Sequence, residues 1–200
     1  MASSLVSSRE VAVEVMHRPL TLDSVYREHF QAVWRLLRRL GVPVAVLDDA
    51  AQDVFLVVHR KLAELEPGAR LRSWVFAITV RVASEHRRRV ARARAEPFDD
   101  GLPDPAPGPG ELGELREELQ LLHDILGELD DDKRTVFVLS ELEQLSVPEI
   151  AAVLGVNLNT AYSRLRAARK YFDAGLHRRR AAARSTQAAA VLSSRGGKSP

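Results

Sequence analysis

The chain is predicted to be all-α, built as two small helical domains joined by a flexible linker. Three observations carry that expectation. Apolar residues recur at threes and fours through residues 20–96 and 111–176, the spacing of one buried stripe per helix. Between these stretches, PFDDGLPDPAPGPG at residues 97–110 sets Pro103, Pro105, Pro107 and Pro109 on alternate positions; neither helix nor sheet survives that, so an extended acidic linker is expected. Residues 146–170, SVPEIAAVLGVNLNTAYSRLRAARK, read as a helix-turn-helix.

Taken in order, residues 1–19 hold a short VAVEV alternation too isolated to form a sheet and are expected to be a flexible leader. The first helix carries Leu22, Val25, Tyr26, Phe30, Val33, Leu36, Leu37 and Leu40 as its stripe and ends at Gly41 and Pro43. Asp48 is placed to cap a second helix with Ala51, Val54, Phe55, Val58 and Leu62, broken by Pro67-Gly68. A third runs from about Leu71 to Arg94, apolar at Trp74, Val75, Ile78, Val82 and Val90. Three amphipathic helices are enough to share one small core.

In the second domain, Leu112, Leu115, Leu119, Leu122, Leu126 and Leu129 alternate at threes and fours. That seam is shorter than the ~3–4 heptads of a coiled coil, so it is expected to pack on a helix Asp132–Glu143 and on the helix-turn-helix, giving a four-helix unit. Ser146 and Glu149 make the capping box of the first motif helix, and Pro148 sits in its first turn, where its missing amide costs nothing. Gly155 supplies the left-handed turn, and Asn157 the next N-cap. The second motif helix is expected to bury Leu158, Ala161, Leu165, Ala168 and Phe172. Residues 177–200 are expected to form a basic disordered tail or a frayed extension of that helix.

Composition excludes several classes of function. The chain has 200 residues, 46% of them hydrophobic, which suits real cores. It has no cysteine, so disulfides, thiol chemistry and thiolate metal sites are excluded. Its six histidines show neither HxxxH nor HExxH spacing, and no metal or cofactor is expected. There is no apolar run of membrane-spanning length and no signal-peptide core, so the expected location is cytoplasmic. No Gly-rich phosphate loop and no nucleophile beside a histidine are present, so neither enzymatic activity nor a small-molecule substrate is expected.

Charge is segregated although the net value is only +2. Arg70, Arg72, Arg81, Arg87, Arg88, Arg89, Arg92 and Arg94 crowd one stretch, and an acidic run from Glu96 to Asp132 follows. Many like charges on one helix are unfavourable without a polyanion. With Trp74 and Phe76 beside them, these arginines form the combination that grips single-stranded nucleic acid, aromatic faces for bases and guanidinia for phosphates. The second motif helix has small polar residues at its start (Asn159, Thr160, Ser163) with Tyr162, and Arg164, Arg166, Arg169 and Lys170 further along. That is what a helix entering a DNA major groove needs. A third signal is the face shared by Asp49, Gln52, Asp53 and Leu56, acidic with an aliphatic edge, which suits a basic protein surface; an ordinary solvated face has the same pattern.

DDAAQDVFLVVHRKL followed by LRSWVFAITVRVASEHRRR resembles the core-binding and promoter-melting helices of bacterial RNA polymerase sigma factors. LDDDKRTVFVLSELEQLSVPEIAAVLGVNLNTAYSRLRAARK is similar to the carboxy-terminal domain of the same proteins. The order and the short linker match the compact extracytoplasmic-function group, over about residues 20–175. The resemblance implies a region 2-like domain at 20–96 and a region 4-like domain at 111–176. It also implies the partners: core RNA polymerase through its β and β′ subunits, promoter DNA, and an anti-sigma factor. Asp49, Gln52, Asp53 and Leu56 match positions that dock on the β′ clamp helices. Arg72, Trp74 and Phe76 match the melting segment, and Arg81, Glu85, Arg87 and Arg88 its continuation toward the −10 element. Asn159, Thr160, Tyr162, Ser163, Arg164 and Arg166, with Lys170 beyond, match the helix that reads the −35 element. Arg81 stands where many members carry asparagine, Glu85 where aspartate is usual, and Ala161-Tyr162 where valine-lysine is commoner. The alternative is a stand-alone helix-turn-helix regulator that binds operators as a dimer through the leucine seam.

Overall fold

Residues 20–65, 70–95 and 113–196 are described by a computed structural model, and every regular element among them is helical. The leader 1–19, the linker 97–110 and Pro67-Gly68 lie outside the described residues. Helix α1, Leu22–Arg39, opens on a reciprocal Thr21–Ser24 cap and buries Val25, Val33, Leu36 and Leu37. It stops where Gly41 takes φ +86°, a conformation that costs glycine nothing. Tyr26 does not join the buried stripe. It stays 44% exposed, its ring 5.0 Å from Phe30 and 4.7 Å from Phe55.

A 3-10 turn at Val44–Val46 leads into α2, Leu47–Lys61. Asp48 is therefore not the cap that was expected. The turn starts the helix two residues earlier, with Val46 at the N-cap and no side-chain bond there. The Asp48 carboxylate instead accepts from Trp34 Nε1 at 3.0 Å. Helix α3, Leu71–Ala95, buries Val75, Phe76, Ile78, Thr79, Val82, Ala83 and His86. This arc is wider than the predicted stripe because α3 packs on α1 and α2 and on the second half of the chain.

The second half begins with α4, Gly113–Glu128. Ile125, Leu126 and Leu129 are buried, but Leu119 is 56% exposed. Asp130 caps α5, Asp131–Phe137, accepting from the Lys133 N–H at 2.9 Å. The expected regular helix Asp132–Glu143 is interrupted, because Val138–Leu142 forms a π turn and Gln144 follows at φ 58°. Helix α6, Val147–Leu154, and helix α7, Leu158–Gly196, form the motif around Gly155 at φ 64°. Both the N–H and the hydroxyl of Ser146 donate to Glu149, and Asn157 Oδ1 accepts from the Thr160 N–H at 2.7 Å. Ala161, Leu165 and Ala168 are buried as expected; Leu158, at the exposed start of α7, is not. Phe172 stacks on Phe137 at 4.5 Å.

The basic end continues α7 as far as Gly196, the helix extension of the two readings. Alanine and arginine dominate it and are strong helix formers. Arg178 and Arg179 tie its start to Glu128 at 3.0 and 2.7 Å, and Arg179 also reaches Asp124 at 2.8 Å.

The buried apolar side chains of the two halves form one continuous cluster. Polar bonds frame the joint. Glu143, only 4% exposed, accepts from Arg39 at 2.7 Å and Arg72 at 3.2 Å. Arg70 pairs with Glu149, and Arg87 with Asp131 at 3.1 Å. Arg134 donates to the carbonyls of Leu126, Gly127 and Leu129 at the end of α4, at 2.7–3.1 Å. It also reaches the Leu40 carbonyl, at 3.3 Å, where Arg87 donates too.

A methyl at Gly41 would meet the pinned Arg134 guanidinium and would have to adopt φ +86°. Gly41→Ala is therefore expected to destabilise by about 1–3 kcal/mol. Gly127→Ala, with open space around it inside α4, is expected to stabilise by about 0.5–1 kcal/mol. Urea midpoints measure both. A second prediction concerns Glu149, whose pKa is lowered to about 2 by hydrogen bonds from Ser146 and then from Arg70. A depressed carboxyl stabilises the fold above its ordinary value of 4.5 and loses that contribution as pH falls toward 2. Glu149→Gln is expected to be less stable than wild type at pH 7, with the gap in urea midpoints closing as pH falls through that window.

Candidate nucleic-acid interface

Three surfaces carry the residues singled out from the sequence. On α2, Asp49 and Gln52 are exposed and Leu56 is 46% exposed. Asp53, half-buried, has its Oδ2 2.8 Å from Nε2 of His86. Helical spacing does bring these four to one face. With Val46, His86, Arg89 and Val90 they line a recess between α2 and α3. The sequence reading missed His86. Its imidazole is buried under that face, and only its position on the inner side of α3, four residues after Val82, hinted at that.

On α3, Arg81, Glu85 and Arg88 are exposed. The melting-segment set divides. Arg72 lies 5.0 Å over the ring of Phe76 while bonding Glu143. Trp74 is half-buried against the core. Phe76 has no exposed surface, so it cannot stack on a base as proposed from its place beside Trp74. Phe76 instead belongs to the continuous buried cluster formed where α3 packs on α1, α2 and α6. Arg87, also half-buried, is spent on Asp131 and the Leu40 carbonyl. Beneath Arg72 lies His29, buried and with Nε2 unpartnered. Burial pushes its pKa below 6.5, against the pull of Glu28 and with the help of Arg72; a neutral imidazole is what a neighbouring guanidinium tolerates.

On α7, Asn159, Tyr162, Ser163, Arg166 and Lys170 are exposed, Tyr162 by 54%. Thr160 is half-buried, and its carbonyl accepts from Ser163 Oγ at 3.0 Å. Arg164 is held by Asp132 at 2.6 Å, and Arg169 by Glu141 at 2.7 Å. Within the described residues Arg166 and Lys170 are in no ion pair, which leaves their charge for a polyanion. Asn157, Leu158, Asn159, Thr160 and Ser163 border an open depression at the start of the helix. Backbone N–H groups and small hydroxyls there can approach phosphates and base edges closely.

Among the described residues there is no cluster of metal-ligating side chains, and no helix is long and apolar enough to cross a membrane.

Known proteins share this arrangement. The family description sigma-70 region 2 matches residues 25–93, and sigma-70, region 4 matches residues 119–172. The chain is 32% identical over 155 residues to RNA polymerase sigma factor CnrH of Cupriavidus metallidurans, covering 73% of this chain and 81% of that protein. It is 33% identical over 154 residues to ECF RNA polymerase sigma factor SigE of Mycolicibacterium smegmatis, covering 74% of this chain and 58% of that one. The solved CnrH, in complex with the cytosolic domain of CnrY, superposes with a TM-score of 0.60 at 27% identity. That superposition covers 78% of this chain and 87% of CnrH, and so takes in residues of both halves. With two domain-sized matches in order and one relative matched across most of its length, the chain belongs to the RNA polymerase sigma factors of the extracytoplasmic-function group, which direct transcription initiation.

Proposed function

We propose that the three surfaces divide the work of promoter-specific initiation. Asp49, Gln52, Asp53 and Leu56 on α2 dock on the β′ clamp helices of core polymerase. Arg72, Trp74, Arg81, Glu85, Arg87 and Arg88 on α3 engage the −10 element and the strand exposed on melting. Asn159, Tyr162, Ser163, Arg166 and Lys170 on α7 engage the −35 element, with Thr160 and Arg164 setting the surface beneath them. Catalysis belongs to the polymerase, no cofactor takes part, and the setting is the cytoplasm, where polymerase and chromosome are. An anti-sigma factor is a further partner in the same reading; the solved CnrH carries the cytosolic domain of CnrY.

The single observation that supports this division best is the exposed, unpaired state of Arg166 and Lys170 beside Tyr162 and Ser163. These groups lie on one outer face of a capped helix whose other face is buried. Of the leucine seam on which the regulator alternative relies, Leu126 and Leu129 are buried in their own chain, whereas Leu119 is 56% exposed.

In a holoenzyme assembled from core polymerase and the full chain, Arg166→Ala is expected to weaken promoter binding by about 1–3 kcal/mol. Its core-polymerase affinity is expected to be unchanged. Asp49→Ala/Asp53→Ala is expected to do the reverse, losing co-purification with core polymerase while the chain stays folded. Equal damage by both variants to DNA binding without polymerase would overturn the division.

A further inference from the structure

We propose that His86, on α3, is a positioning residue for polymerase docking: its buried imidazole fixes the Asp53 carboxylate on the outer face of α2. The inference rests on the docking role of that face proposed above.

The imidazole is almost fully withdrawn from water, with 5% of its side chain exposed, and its Nε2 lies 2.8 Å from Asp53 Oδ2. A carboxylate only accepts, so Nε2 carries the proton and donates. The Asp53 side chain nevertheless keeps 47% of its surface exposed. One oxygen is tied down while the group as a whole stays within reach of a partner.

His86 is out of keeping with its side of α3. The buried residues there are apolar at Val75, Phe76, Ile78, Val82 and Ala83, and the other polar one, Thr79, bonds back to the Val75 carbonyl at 2.8 Å within the helix. An apolar side chain at residue 86 would fill the space without the cost of drying an imidazole. The bond to Asp53 offsets little of that cost, because water competes for an acceptor that is half exposed. What the imidazole supplies is orientation. A short carboxylate held by one oxygen has lost its rotamer freedom before the partner arrives, so binding has less ordering to supply.

The neighbouring charges fit that role. Asp49 and Arg89 line the same recess and are exposed, yet Asp53 bonds the imidazole and not the Arg89 guanidinium. An imidazole can donate while neutral, so it holds the oxygen and leaves the negative charge for a basic partner surface. Asp49, by contrast, makes no ion pair or side-chain hydrogen bond among the described residues. The two acids of the docking face are therefore unequal, one held and one free to rotate.

The affinity of the full chain for bacterial core RNA polymerase tests the role, with urea midpoints recorded for every variant. His86→Leu is expected to weaken binding about fivefold, the scale of one hydrogen bond. His86→Gln, whose amide can donate to Asp53, is expected to stay within about twofold of wild type. A double-mutant cycle locates the effect. In an Asp53→Ala background His86→Leu is expected to add less than about twofold, whereas in an Asp49→Ala background its loss of about fivefold is expected to persist. Equal losses in both backgrounds would mark a residue that only stabilises the fold, and would overturn the proposal. Should His86→Leu not fold, His86→Phe, which keeps a ring and lacks the donor, runs the same cycle. Asp53→Ala separates the premise from the inference. If it binds polymerase as wild type does, the docking role of Asp53 fails and the positioning role with it; if it binds weakly and His86→Leu binds normally, only the positioning role fails.

Discussion

One carboxylate sets the placement of the two halves. Withdrawing Glu143 from water carries a desolvation penalty of several kcal/mol, offset by donors from two helices of the other half: Arg39 at the end of α1 and Arg72 near the start of α3. The π turn makes that meeting possible. One extra residue in the turn lets the Glu143 N–H bond the Val138 carbonyl at 3.0 Å and the Leu145 N–H bond Leu139 at 2.9 Å. An uninterrupted α-helix advances about 100° per residue, so omitting that residue would swing the Glu143 side chain off the joint. Arg134 completes the arrangement by satisfying the carbonyls that α4 leaves open at its end, a standing need of any helix terminus, and by reaching Leu40 of the first half.

The parts of the molecule governed by short-range rules were legible in the sequence. The cap at Asn157, the left-handed Gly155, the extents of α3 and α6 and the shared face of Asp49, Gln52, Asp53 and Leu56 follow from local geometry, and the structure has them. What the sequence could not show depends on contacts distant along the chain. Phe76 beside Trp74 in an arginine-rich stretch has the pattern of a stacking platform; tertiary packing of α3 makes it core. Glu143 looks like a solvated helix end because a 3.6-residue period has no place for a π turn. Asp48 is not the cap for a smaller reason, since the 3-10 turn moves the helix start two residues earlier without any strong sequence mark. The residue-level roles in DNA and polymerase binding rest on the family match together with exposure, not on spacing alone.

Arginine serves three distinct purposes here, and the partner of each guanidinium distinguishes them. Arg134 is structural, its guanidinium spent on backbone carbonyls. Arg39 and Arg72 neutralise a buried acid. Arg81, Arg88 and Arg166 are exposed and in no ion pair among the described residues. A count of arginines per segment, which is what composition supplies, merges these classes. The first two set the geometry in which the third is displayed.

The strength of the joint follows from the same distinction. Side chains of Arg70, Arg72 and Asp131 are 72%, 49% and 65% exposed, and ion pairs in such settings contribute at most about 1 kcal/mol each. Glu143 and the continuous apolar cluster favour closure more strongly. Against them stand the left-handed Gln144 and two buried atoms without a hydrogen bond among the described residues, His29 Nε2 and Arg87 Nε, each costing about 1–3 kcal/mol.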